Sequence, residues 1–248
     1  MSSYHKLLPG LVLIAVAACT DNPILEPDVH AEDLDVALSF SVEELVTLTE
    51  MEVEVEITNH EGVPFTDFEM VGFEYRMEGE TEWETTELEL HEGHFSADHM
   101  FFSSGEYEVR VTGTRHGADH SETLFEQGEH AEVERIHMEA GEYRIEMETF
   151  PGRIHEGDEA EVRFWVAELG TDGHSGGHGM GGLNAQIHLS HDASGSTQQH
   201  MADEHEDGVY EAMHLFDEAG EFEVMMSFQD EHGDTHEAAF HVPVSHDD

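Results

Sequence analysis

The sequence predicts an all-β chain, two tandem antiparallel sandwiches preceded by a leader and a short tether. Three observations lead there. Beyond residue 34 no stretch carries a helical period, whereas short apolar–polar alternations recur throughout. Turn residues separate these alternations at the spacing of a sandwich. One hairpin occurs twice, as GHFSADHMFFSSGEYEVRVTGTRHGADH from Gly93 to His120 and as GVYEAMHLFDEAGEFEVMMSFQDEHGDTH from Gly208 to His236. Gly93 matches Gly208, Phe95 matches Tyr210, His99 matches His214, Gly105 matches Gly220 and Tyr107 matches Phe222. After one inserted residue, His116 and His120 match His232 and His236. Turn glycines, aromatics and histidines kept in register imply two copies of one folding unit.

The elements follow in order. After a weakly basic start, Leu7 to Ala18 is an apolar run too short to span a bilayer permanently. It ends Val16-Ala17-Ala18-Cys19, which resembles a bacterial lipoprotein signal: residues 1–18 would be removed and Cys19 would carry the lipid. An ordinary secretory signal is the alternative, because Ala15-Val16-Ala17 also fits a cleavage site. Cys19 is the only cysteine, so no disulfide forms within the chain and no other thiol can hold a metal. Thr20 stands where an inner-membrane retention signal places Asp. The expected location is therefore the extracytoplasmic envelope, on the periplasmic face of an outer membrane or at the cell surface. Residues 19–33, with Pro23 and Pro27, read as a tether.

The first sandwich is expected over 34–127. Met51 to Thr58 alternates strictly and puts Val53, Val55 and Ile57 on one face. From Asp67 to Met77 the alternation changes phase at Val71-Gly72, which reads as a β-bulge. A strand carrying Trp83, Leu88 and Leu90 follows, then the hairpin and a last strand over 120–126. Residues 128–141 read as a junction. The second sandwich, 142–246, has strands near 142–149, 159–168, 183–190, 197–203, 209–216, 221–229 and 236–244.

Charge bounds the partners. Acidic residues number 58 against 8 basic, and the only lysine, Lys6, lies in the leader, leaving 7 − 58 = −51 for the rest. Such a surface repels nucleic acid and anionic lipid and attracts cations. The acids are either a hydrated face suited to a saline habitat or a means of concentrating metal ions.

Strand reversal gathers alternate loops at one end of each sandwich. In the second unit that end collects the 169–182 loop and the 204–208 and 231–235 turns, carrying His174, His178, Met180, His205, His232 and, at the edge, His236. In the first it collects His60, His91, His94, His116 and His120. Imidazoles suit zinc and copper, and the thioether of Met180 favours reduced copper. His99 and His214 share phase with the core aromatics and are expected inward, neutral and hydrogen-bonded to backbone.

Enzymatic motifs lack their contexts. Gly173 to Gly177 matches G-x-S-x-G without a strand-turn-helix. His91-Glu92-Gly93-His94 is one residue short of a zincin motif, and Asp203 to Gly208 puts His205 where a calcium loop needs oxygen.

The Gly-aromatic hairpin, with GLNAQIHLSH as the middle strand before EDGVYEAMHLFDEAGEFEVMMSF, is similar to the YtkA-like/FixH-like domains of bacterial envelope proteins. The first unit then reads as a diverged copy with a longer middle, Val63 to Leu90. The resemblance implies immunoglobulin-like sandwiches outside the cytoplasm, and some relatives are associated with copper handling or oxidase assembly. FixH itself has a permanent membrane helix, which this chain lacks. The expectation is a non-catalytic lipoprotein that binds or buffers copper or zinc. Its rival is a structural or interaction module, with an envelope protein as partner, whose acidic surface reflects habitat.

Overall fold

The computed structural model describes the backbone at residues 34–116, 121–169 and 178–246, and side chains at all of these but 116 and 121–127. The leader, the tether and Cys19 lie outside the described residues, as do His120 and His174. The chain is all-β, with several antiparallel sheets.

The first domain contains β1 (Leu34–Phe40), β2 (Met51–Asn59), β3 (Met70–Met77), β4 (Glu84–His91), β5 (His94–His99), β6 (Gly105–His116) and β7 (Ser121–Val133). Their order is β1-β2-β5-β4-β3-β6-β7, closed into a sandwich because β4 changes partner along its length. Glu84–Leu88 pairs with β3, and Glu89–His91 pairs with β5. The alternation of β2 buries Met51, Val53, Val55 and Ile57 against Val71, Phe73 and Val111 from the facing sheet.

The second domain contains β8 (Ile136–Ala140), β9 (Tyr143–Phe150), β10 (Ile154–His155), β11 (Asp158–Glu168), β12 (Gln186–His191), β13 (Thr197–Met201), β14 (Asp203–Glu206), β15 (Val209–Phe216), β16 (Gly220–Gln229) and β17 (Thr235–Ser245). Two five-stranded sheets, β10-β17-β16-β12-β13 and β14-β15-β11-β9-β8, enclose the larger core. Here the sheet-switching strand is broken at Ala202 into β13 and β14. Register equates the domains: Phe73 pairs with Thr86 and Val111, as Ile187 pairs with His200 and Met226.

Four sequence expectations change. The pairing of β3 runs unshifted through Val71-Gly72, and the register shift lies at Gly113/Thr114 against β7. The phase change arises because Phe68 precedes the strand, reaching the core from a turn where its N–H bonds Thr66 O. The middle of the first unit is not longer, since the Phe73–His99 and Ile187–His214 intervals differ by one residue. Trp83 precedes β4 rather than lying in it. The residues read as a junction are themselves in strands: Ala131 and Val133 of β7 belong to the first core, and β8 joins the sheet of the second.

That junction is closely packed. Glu148, buried on β9, accepts hydrogen bonds from Ser104 N at 2.7 Å and Ser104 Oγ at 3.0 Å, with Arg135 at 3.4 Å. Ile136 N donates to buried Thr47 Oγ1 at 3.0 Å. Leu48 holds a left-handed φ of 56° while its side chain enters the second core, alongside Met100 and Phe102.

All arginines beyond the leader serve the fold. Arg76 and Arg110 lie over Trp83 at 4.4 and 3.9 Å and pair with Glu108 and Glu74. Arg135 lies 3.9 Å over Trp165 and pairs with Glu146. Arg115, Arg144, Arg153 and Arg163 pair with Asp67, Glu134, Glu84 and Glu161. With so few cations among so many acids, Arg76, Arg110, Arg115, Arg135, Arg153 and Arg163 are each used both for charge and for a flat face.

Candidate functional site

The junction uses the ends of β5, β7 and β9 that lie opposite the histidine turns, so the histidine-bearing ends point away from it in both domains. In the second domain the described loops meet as strand reversal requires. Met180 N donates to Val166 O at 2.9 Å, Val166 N to Gly208 O at 2.8 Å, and Gly182 N to the Glu204 carboxylate at 3.0 Å. A Cβ on Gly208 would lie 2.5 Å from Gly179 Cα and 2.7 Å from Met180 N. The residue is glycine because two backbones touch there, and its φ is +82°.

The side chains at this end do not gather. His178, His205 and His232 are exposed, and His205 is 3.8 Å from Glu211. Met180 packs against the core. His236 is a structural side chain: its Nε2 is 2.9 Å from Asp230 Oδ2, and its ring stacks on Phe228 and meets Tyr143 edge-on. Asp230 also accepts from His232 N and Asp234 N, closing the turn. The hydrogen bond from His236 holds the Asp230 carboxyl down at about 2. In the first domain His91 and His94 are cross-strand partners beside the tight turn at Glu92-Gly93, with His91 3.8 Å from Glu89. His116 contributes backbone pairing to Ser121. Among the described residues no three His, Cys, Asp or Glu side chains form a group that could hold a metal ion.

The inward histidines are where the repeat predicts them, with different partners. His99 and His214 are buried. Their Nδ1 atoms meet side chains rather than backbone: Thr86 Oγ1 at 3.4 Å and His200 Nε2 at 3.2 Å, at equivalent positions on β4 and β13. Both Nε2 atoms are buried without a hydrogen-bond partner among aromatic rings. An orphaned N–H costs more than an orphaned lone pair, so both rings are neutral with the proton on Nδ1. Burial pushes each down to about 4; Arg153 lowers His99 further and His200 lowers His214 further, while Glu84 and Asp217 raise them.

Sequence reasoning missed His191. It is buried and tied to Ser194 Oγ at 2.8 Å, Ala219 O at 3.1 Å and Glu218 at 3.2 Å. Serine and glutamate both contact Nδ1, while a carbonyl takes Nε2. A serine nucleophile needs its base on the ring nitrogen opposite the acid, so this cluster fixes a turn rather than activating Ser194. At the junction an open cleft of about 310 Å³ contains Arg135 and Arg144, both committed to Glu146.

No family model matches the chain, and no curated protein matches it. Solved structures align over most of its length at low similarity. Trypsin-activated alpha-2-macroglobulin from Escherichia coli is 10% identical, covering 85% of this chain and 15% of that one, with TM-score 0.33. The adhesin InvE of Yersinia pseudotuberculosis is 12% identical, covering 86% and 60%, with TM-score 0.32. The chicken CNTN1 FN1-FN3 domains are 11% identical, covering 85% and 66%, with TM-score 0.28. The chain thus spans only part of the length of the first of these. Such distant likenesses carry no argument about function.

Proposed function

We propose that this chain is a non-catalytic, two-domain interaction module of the cell envelope, tethered through Cys19. The observation that carries this reading is the junction. Buried Glu148, Thr47 and Leu48 join the domains into one unit and direct the two acidic, histidine-bearing ends away from each other. Internal use of the arginines supports the same role, because it leaves the surface charge to the carboxylates. A module of this kind presents surfaces at a fixed separation. Small-angle scattering tests it: the extended profile is expected to hold from low to high salt and to broaden in Glu148→Ala. A wild-type profile requiring freely moving domains would defeat the proposal. The tether is tested by Cys19→Ala, expected to release the protein from the membrane fraction or leave its precursor unprocessed.

Metal binding is the second reading, favoured by the packing of the 178–182 segment on Gly208 and Glu204. That contact places His178 and His205 on neighbouring loops. Calorimetry with copper, zinc and calcium at high ionic strength separates the two. Copper or zinc binding that survives salt and vanishes in the combined His174→Ala, His178→Ala, His232→Ala variant supports a metal role. Binding that fades with salt and ignores those changes supports a solvated surface.

A further inference from the structure

Among the described residues the second domain has a sheet edge without a neighbour, at a position equivalent to a protected edge of the first domain. Strand β14 pairs with Val209–Glu211 of β15, leaving Ala212–Phe216 without a neighbour on that side among the described residues. The direction of its hydrogen-bonding groups can be read from the two ends. Gly208 O accepts from Val166 N and Phe216 O from Gly157 N, both on the β11 side. Alternation along a strand then turns Ala212 and His214 towards β11, and Met213 and Leu215 towards the open edge. These same residues present their side chains to solvent, at 51% and 52% exposure. Their first-domain counterparts, one repeat earlier, are Asp98 and Met100. Asp98 puts a charge at the edge, and Met100 packs against the neighbouring domain. Edge strands are commonly shielded by a charge or a cover. Among the described residues the second domain has neither at this position.

We infer that this edge is an interface with a second copy of the chain, β15 pairing antiparallel with its symmetry mate about His214. The open segment is symmetric about that residue and complementary to itself. Met213 of one copy falls opposite Leu215 of the other, so apolar meets apolar twice. Both residues have edge-facing N–H and C=O groups, so each such pair closes two hydrogen bonds. The paired segment ends where β14 begins, so no strand is displaced. A net charge of −50 on each copy opposes association, and salt relieves that opposition. The inference concerns a surface remote from the histidine turns and does not depend on whether they bind metal.

The test is sedimentation velocity of the full chain carrying Cys19→Ser, so that neither thiol nor lipid links copies. At 0.1 and 2 M sodium chloride the expected result is a monomer–dimer equilibrium shifted to dimer at high salt, within about the range where screening shortens to a few ångström. Met213→Pro removes an edge-facing N–H and fixes the local φ, and Leu215→Glu adds a charge. Each is expected to raise the dissociation constant at least tenfold. Val63→Glu, at another half-exposed apolar residue, is expected to leave it unchanged. Hydrogen exchange at the Met213 and Leu215 amides should slow with protein concentration. A chain that is monomeric at both salts with these amides exchanging freely overturns the inference. So does a dimer indifferent to both variants, or a monomer whose edge instead takes up a basic peptide such as Val-Lys-Val-Lys-Val with affinity that falls as salt rises.

Discussion

The two domains share topology and register, yet they differ where the sandwich is open. In the first, one continuous strand, β4, passes from sheet to sheet and Thr86 meets the inward histidine. In the second, the strand breaks at Ala202 and His200 takes that place. At the edge, Asp98 and Met100 are replaced by Met213 and Leu215. At the top, Gly93 meets only Pro64 at 3.7 Å, whereas Gly208 is pressed against Gly179 and Met180. The first domain is therefore shielded by its neighbour and by a charge, whereas in the second the loops close the Gly208 end and the Ala212–Phe216 edge has no neighbour among the described residues. The cores are alike because alternation alone dictates them. The differences lie in positions free to answer to partners.

The largest effect is expected from breaking the cover over the first domain. Glu148→Ala leaves Ser104 N–H and part of Arg135 unpaired in a partly buried site, a loss of about 3 kcal/mol. Urea unfolding should begin earlier and separate into two transitions as the domains uncouple. A single unshifted transition would mean that the domains stand independently and that the contrast in their edges has another origin.

Next comes the pair of turn glycines. Alanine at either position carries the strain of a positive φ, +105° at Gly93 and +82° at Gly208. Only at Gly208 would it also drive a methyl into backbone that cannot rotate away. Gly93→Ala should cost about 1 kcal/mol and Gly208→Ala about 3 kcal/mol. Equal losses would show that the 178–182 contact is not tight.

Much of this contrast was legible in the sequence. The β9, β11, β15, β16 and β17 strands were visible because Val, Ile, Phe and Tyr alternate with acids there, and the inward phase of His99 and His214 followed from Phe95, Phe101, Tyr210 and Phe216. The position of the junction was visible, but its strands and its packing were not. Ala131-x-Val133 and Ile136-x-Met138-x-Ala140 do alternate, but with small or half-exposed residues between acids, and Glu148 reads as one more carboxylate until Ser104 is brought beside it. The stacking of Arg76 and Arg110 on Trp83 joins two strands to the residue before a third, and no local pattern announces it. For the histidine turns, sequence foresaw which loops share an end, because topology decides that. It could not foresee that Asp230 would claim His236, because that depends on one side chain's direction.

Acid should act on both domains through the same device. His99 and His214 titrate near 4 when folded, below the ordinary 6.5 of an unfolded chain. Between those values the unfolded state binds more protons. The histidine contribution to stability is thus complete above pH 6.5, declines as pH falls, and is gone below 4. The loss is on the order of 2 to 3 kcal/mol per histidine, the upper figure applying to a fully shielded ring. Asp230 acts in a separate window: held near 2, it contributes stability above its ordinary 3.8 that is lost as pH falls through 2. Unfolding measured from pH 7 to 4 should therefore show a decline that shrinks by about half in either His99→Phe or His214→Phe. A decline untouched by both would place the acid sensitivity in the surface carboxylates.

The smallest effect sharpens the comparison most directly, by exchanging the residues that face the two histidines. His200 disfavours charge on His214, since two protonated rings 3.2 Å apart repel, while Asp217 pulls the other way. Thr86 bears no charge at any pH. His200→Thr should therefore raise the folded titration point of His214 towards that of a free histidine, by less than burial depresses it, and leave His99 unmoved. Thr86→His should depress His99 in turn. Ring-proton chemical shifts followed by NMR across the acid range report each histidine separately. If His214 titrates unchanged in His200→Thr, burial alone sets its value and the pair is a hydrogen bond without electrostatic consequence. If instead the two exchanges shift their targets in opposite directions, the seam residue is the point at which otherwise matched domains were given different responses to acid.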